Sequence, residues 1–164
     1  QVTIPPDRIR DPQHLREPDR NIGRDCSRTP MPWSADPFAG FSTVEPWLPL
    51  NEDWQDRNVA AQEADAGAML HLYRKLLALR RAHPALSIGT FTLTEAEDEV
   101  LSYVRQHGRE RLLVVLNLGT QVRRFAVPQG YAVRDTIAST KAERAFDGAV
   151  QGDEGLILRL EGEG

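Results

Sequence analysis

The rhythm of apolar residues changes twice along this chain, and each change marks a different kind of structure. Between Asn58 and Pro84, the residues Met69, Leu72, Tyr73, Leu76 and Leu77, followed by Arg80, fall at the three-and-four spacing of one helical face. Leu70 and Leu79 widen that stripe. Asn58 is placed to cap a short helix over Val59 to Glu63, and Asp65 to cap the longer one that follows. Arg74, Lys75, Arg80 and Arg81 load the second half with positive charge, which suits the C-terminal end of the helix dipole, and Pro84 stops it.

After Pro84 the spacing becomes that of strands. The segments 90–94, 100–104, 111–118 and 124–127 are rich in β-branched, aromatic and leucine residues, as are a less regular stretch around Tyr131-Ala132-Val133 and a last one at 156–160. The polar stretches 95–99 and 106–110 are short enough for hairpin turns, so neighbouring strands should pair antiparallel. Segment 139–153 fits no pattern, and Glu161 to Gly164 reads as a tail. This spacing predicts a β-sandwich or open barrel of about eighty residues, with a boundary near His83 to Leu86.

Before Asn58 there is no period at all. Prolines punctuate the run: Pro5-Pro6, Asp11-Pro12 and Glu17-Pro18 act as local stops, and Pro30, Pro32, Pro37, Pro46 and Pro49 exclude helix and regular strand further on. A loop of about fifty residues is improbable inside a compact domain unless it is functional or belongs to a larger body. Within it, Gly23 to Phe41 alternates Arg24, Asp25 and Arg28 with prolines and large rings. Trp33, Phe38 and Phe41 are expected to pack on a scaffold and so fix the directions of the charged groups.

Composition narrows the chemistry. The chain has 164 residues, 40% of them hydrophobic, and a net charge of −4, which argues against a nucleic-acid or anionic-membrane partner. It contains no apolar run long enough to span a bilayer and no secretory signal pattern. The single cysteine, Cys26, cannot form an internal disulfide and suits a reducing compartment, so a cytoplasmic location is expected. No nucleotide loop or zinc spacing occurs, and His14, His71, His83 and His107 are scattered, so neither a cofactor nor a metal is expected. Ser27 and Cys26 lack the surroundings of a nucleophile, and Asp25, Asp36, Asp53 and Asp56 fit neither a calcium loop nor a carboxylate pair.

Arg24 remains. A planar guanidinium fixed in such a loop offers a fork of donors for hydroxyl pairs or carboxylates. Taken alone, Arg24 and Arg28 could equally brace the turn through Asp25 or loop carbonyls.

The run Gly23-Arg24-Asp25-Cys26-Ser27-Arg28-Thr29-Pro30-Met31-Pro32-Trp33, then Ala39-Gly40-Phe41-Ser42 and Pro46-Trp47-Leu48-Pro49, resembles the C-terminal third of α-glucosidases of the oligo-1,6-glucosidase type, in the α-amylase superfamily (glycoside hydrolase family 13). The likeness continues through Asn58-Val59, Gln62, the stretch Leu72 to Arg80, Pro84-Ala85-Leu86 and the strand Leu112 to Asn117, and weakens after about Val127. It implies an α+β fragment: residues 1–85 as the final loop and helix of a catalytic (β/α)8 barrel, and residues 86–164 as a C-terminal antiparallel β-sandwich domain. The start at Gln1-Val2-Thr3, without methionine, suits a processed protein or a piece of a longer one.

That family hydrolyses α-glucosidic bonds with retention, using an aspartate nucleophile, a glutamate acid/base and a second aspartate. The resemblance implies that all three lie upstream of Gln1, so that no catalytic residue is in this chain. It matches Arg24 to the arginine that contacts the non-reducing-end glucose. Asp25 and Arg28 match too, as substrate-binding candidates second to Arg24 whose leading role is to brace the loop, and Trp33 and Phe41 match as packing residues ahead of sugar platforms. The implied partners are an α-glucoside oligosaccharide and the missing N-terminal barrel, which would cover the face of Met69, Leu72 and Leu76. Two alternatives stand beside this: a trehalulose-forming (sucrose-isomerising) or trehalose-forming relative, and a noncatalytic carbohydrate- or subunit-binding module. The second is disfavoured by the lack of evident aromatic platforms in residues 86–164.

Overall fold

The computed structural model describes residues 2–20, 23–97, 99–141 and 144–162. Asp98 of the expected first hairpin turn and Glu163-Gly164 of the expected tail lie outside them. The chain divides into two compact units, Gln1–Tyr73 and Arg74–Gly164.

The first unit is a loop with short helical turns. Helix α1 (Pro12–Arg16) begins where the sequence suggested a stop: Pro12 occupies the first helical position, where its missing N–H costs nothing, and the Asp11 carboxylate caps the turn by accepting from the Gln13 N–H at 2.9 Å. Single 3₁₀ turns follow at Pro18–Arg20, Asp25–Ser27 and Pro37–Gly40. In the last of these, Phe38, Ala39 and Gly40 take φ of 54°, 59° and 63°, a left-handed turn in which two residues carry a Cβ. Such residues cost about 1–2 kcal/mol each. The turn closes the loop because the buried Ala39 carbonyl accepts the N–H groups of Trp33 and Ser34 at 2.8 and 3.1 Å.

Helix α2 (Val59–Ala64) is tied to the same loop. Its first N–H groups, on Val59 and Ala60, donate to the carbonyls of Pro32 and Trp33, and Asn58 caps Ala61 at 2.9 Å. The Asn58 amide also donates to the Trp54 and Gln55 carbonyls. This explains why it is buried. Asp65 does not cap the next helix; its carboxylate and carbonyl accept from Gly67 and Ala68 in a turn that precedes it. Helix α3 (Met69–Ala82) then runs for 14 residues without a single buried side chain. Met69, Tyr73 and Leu77 of the expected apolar face are more than half exposed. Pro84 opens a separate short helix, α4 (Pro84–Ser87), from its first position.

The second unit is built on a five-stranded antiparallel sheet of β1 (Thr90–Glu97), β2 (Val100–His107), β3 (Glu110–Asn117), β5 (Tyr131–Ser139) and β7 (Glu154–Gly162), in the order β1-β2-β3-β7-β5. Two short strands, β4 (Arg123–Arg124) and β6 (Ala149–Val150), pair in a second layer. Four successive buried residues, Leu112 to Val115, show why β3 reads as a continuous apolar run: both faces of the sheet are covered. One face packs Val104, Leu113, Val115, Leu156 and Leu158 against Phe125 and Val150 of the small layer. The other packs Leu112, Val114 and Ile157 against Ala85, with Leu79 and Leu86 beside it.

The strands differ from expectation in several places: β1 and β2 each run three residues past their expected ends, into the expected hairpin turns, and β6 forms within the segment that fits no pattern. Phe125 leaves the short strand to fill the core instead of extending it. Strand β5 is longer than its apolar pattern suggests, because register shifts at Val133/Asp135 and Thr136/Ala138 break the alternation.

Candidate functional site

The loop holds its charged residues by carboxylates rather than by rings. Asp11 is fully buried and Asp25 nearly so, and each stitches two chain segments together. One Asp25 oxygen accepts the backbone N–H groups of Arg10 and Asp11, both at 2.9 Å. Asp11 accepts from the Gln13 N–H, the Arg24 N–H at 3.0 Å and the Arg24 side chain. Those bonds hold the Asp11 carboxyl well below the usual range, with the Arg24 side chain the leading cause and Gln13 next. The Asp25 carboxyl is lowered by the Arg10 and Asp11 N–H groups against the opposing effect of burial.

Arg24 is held through its backbone and one side of its guanidinium. Its Nε and Nη2 grip the two oxygens of Asp11 at 2.8 and 3.3 Å, and its carbonyl accepts from both the N–H and the hydroxyl of Ser27. Asp11 in turn raises the Arg24 pKa, so the cation is permanent. Yet 58% of the side chain stays exposed. Arg28 reaches the same cluster more loosely, its Nη1 lying 3.6 Å from Asp11 Oδ2 and 3.8 Å from Asp25 Oδ1. Gly23 is required beside Arg24 because a Cβ there would meet His14 at 2.9 Å.

The structure thus brings together Arg24, Asp25 and Arg28, and adds Asp11. The signal for Asp11 was in the sequence, as an aspartate directly before a proline, which is the pattern of a helix start. Trp33 and Phe41, expected to pack, are about half exposed in the described structure. Hydrogen bonds accepted by the Ala39 carbonyl and by the two buried aspartates do the holding instead. Cys26 is partly buried, its thiol near the Gly23 carbonyl. Among the described residues, no group of three or more His, Cys, Asp or Glu side chains is gathered for a metal, and no helix is long and apolar enough to cross a membrane.

A permanently charged donor fork on a buried carboxylate base is chemically suited to hydroxyls or anions rather than to acid–base chemistry. Comparison with known proteins gives the chain a family. Residues 1–89 match the family model for the alpha amylase catalytic domain. A probable alpha-glucosidase of Rhizobium meliloti is 40% identical over 106 residues, which cover 65% of this chain and 19% of that protein. The oligo-1,6-glucosidase of Parageobacillus thermoglucosidasius is 36% identical over 119 residues, 72% of this chain and 21% of that one. The crystal structure of trehalulose synthase from Pseudomonas mesoacidophila superposes with a TM-score of 0.76 at 30% identity, over 85% of this chain and 26% of that one. The chain belongs to the alpha-amylase family. It spans about a fifth of the length of these curated relatives.

Proposed function

We propose that this chain forms the C-terminal portion of a retaining α-glucosidase that hydrolyses α-glucosidic bonds of small oligosaccharides, with Arg24 contacting the non-reducing-end glucose. The observation that carries this is the Arg24–Asp11 fork. Two of the five guanidinium N–H donors grip Asp11, which sets the plane of the group, and the exposed remainder can bridge neighbouring hydroxyls of a sugar. Holding a sugar through such a preset fork favours the geometry in which the ring distorts, so the contact acts on the chemical step as well as on binding. Asp11, Asp25 and Arg28 position Arg24. The aspartate and glutamate groups that break the bond belong to the barrel portion, outside these residues, and that barrel covers the exposed α3 face of Met69, Tyr73 and Leu77.

The likeness to a trehalulose synthase favours a second reading, in which the same fork serves a sucrose-isomerising enzyme. Turnover of an aryl α-glucoside by the full-length protein, with the first-formed sugar followed by proton NMR, tests the main proposal. Release of α-glucose supports retaining hydrolysis. Release of β-glucose, or no turnover, overturns it, and conversion of sucrose to an isomer instead of glucose and fructose selects the second reading.

A further inference from the structure

Two strands in the middle of the sheet come unpaired at one end. β3 and β7 pair from Asn117 opposite Glu154 to Leu112 opposite Arg159, and there their ladder stops although both strands run on. Glu110 and Arg111 stay paired to β2, and Leu160 to Gly162 to β5. A cavity of about 580 Å3 occupies the notch between these strand ends. Its walls carry four arginines, Arg109, Arg111, Arg134 and Arg159, against two carboxylates, Glu110 and Glu161, in a chain whose net charge is −4.

Local structure places these cations and leaves their donors unspent. Arg134 is the extra residue at the register shift between Val133 and Asp135, and such bulges re-aim a side chain. Arg111 has its guanidinium carbon 5.7 Å from the Tyr131 ring centroid, and its Nε is buried without a hydrogen-bond partner. Arg123 and Arg144 share that orphaned Nε, but their Nη atoms bind carboxylates, whereas Arg111 binds none among the described residues. Arg159 lies 3.6 Å from Asp135, too far for a hydrogen bond. Glu110 has both oxygens engaged elsewhere, Oε1 lying 2.6 Å from His83 Nδ1 and Oε2 accepting the Ala85 N–H at 3.2 Å. Glu161 is exposed.

Guanidinium groups converging from three strands and a turn suit an anion with several oxygens and two charges, since a single carboxylate is satisfied by one fork. We propose that this notch binds a phosphate group, free or carried by a small molecule, between the half-buried Arg111 and Arg159, with the exposed Arg109 and Arg134 adding charge. The volume falls within the roughly 300–1,000 Å3 of small-molecule sites and leaves room for a group attached to the phosphate. All these residues belong to the second unit, so the site stands or falls apart from the glucose reading of Arg24.

Isothermal titration calorimetry of the full-length protein with inorganic phosphate and with phenyl phosphate, at an ionic strength fixed by sodium chloride, tests this. Saturable binding is expected, weakened about tenfold by Arg111→Gln or Arg159→Gln and unchanged by Arg24→Gln. Tighter binding of phenyl phosphate assigns the site to an organic phosphate; equal or weaker binding assigns it to the free ion. Absence of saturable binding, or full affinity in the folded Arg111 and Arg159 variants, overturns the site. So does loss of binding in Arg24→Gln, which moves the anion to the loop. Should Arg111→Gln and Arg159→Gln fail to fold, the exposed pair decides: Arg109→Gln with Arg134→Gln is expected to weaken binding about tenfold, and an unchanged affinity overturns the site.

Discussion

Two clusters in this chain use the same chemistry, a buried carboxylate and an arginine, to opposite ends. In the second unit, Glu154 is buried at the start of β7 and accepts from the Ser139 hydroxyl at 2.9 Å, the Gln151 N–H at 2.7 Å and Arg144 Nη2 at 3.0 Å. Arg144 also binds Asp147 and the Ala149 carbonyl, and only 26% of its side chain is exposed. Burial alone would raise the Glu154 pKa, but its three partners outweigh that and lower it. In the first unit, Asp11 is as deeply buried, yet Arg24 above it stays 58% exposed. The Glu154 network ties Arg144, Asp147, Ala149 and Gln151 to the sheet and keeps its arginine largely buried; the Asp11 network leaves its arginine largely exposed. Charge pairing by itself does not mark a site. What separates the two is how far the arginine stays exposed.

The sharpest break of this comparison is in stability. Glu154→Ala leaves Arg144 without its buried partner and should cost about 3–5 kcal/mol, read as a lower denaturant midpoint. Removing the cap in Asn58→Ala leaves the Ala61 N–H and two carbonyls without partners and should cost about 1–2 kcal/mol by the same measurement. Gly40→Ala places a Cβ 2.5 Å from the Ser34 hydroxyl oxygen at φ +63°, and about 1 kcal/mol of loss is expected. A loss below a few tenths would mean that the left-handed turn relaxes freely.

Acid separates the clusters least. Asp11, Asp25 and Glu154 all have folded pKa values below their unfolded ones, so the stability they contribute is complete above about pH 4.5 and is lost as pH falls through the depressed folded values. Near pH 7 no dependence is expected from them. Asp11→Asn should flatten the acid limb of a stability profile; an unchanged limb would show that Asp11 is not held ionised by Arg24.

Much of this was legible in the sequence where one force dominates. The β2, β3 and β7 runs follow from burial, α3 from its three-and-four apolar spacing although none of its side chains is buried, and Asn58 announced its helix through capping. Features that depend on competition between local and distant contacts were hidden. Asp11-Pro12 looked like a stop because the same residues end one segment and start another. Strand β5 is only partly visible in the sequence because its register shifts disrupt the alternation on which strand recognition depends. The left-handed turn at Phe38–Gly40 has no signal beyond Gly40, since Phe38 and Ala39 are not residues that favour positive φ and the bonds accepted by the Ala39 carbonyl come from Trp33 and Ser34, outside the turn. Arg24, Asp25 and Arg28 were visible as a group, whereas the carboxylate beneath them was 13 residues away from Arg24.

Arg24, held by Asp11 and largely exposed, carries the proposed function. Steady-state kinetics of Arg24→Ala in the full-length protein, with an aryl α-glucoside as substrate and thermal unfolding measured in parallel, tests that. A fall in kcat/KM of roughly a hundredfold, carried partly by kcat, is expected, together with a lower unfolding midpoint because the buried Asp11 carboxylate loses its charged partner. Unchanged kinetics with a lowered midpoint would contradict it and make the Arg24–Asp11 pair a loop brace of the same kind as Arg144–Glu154.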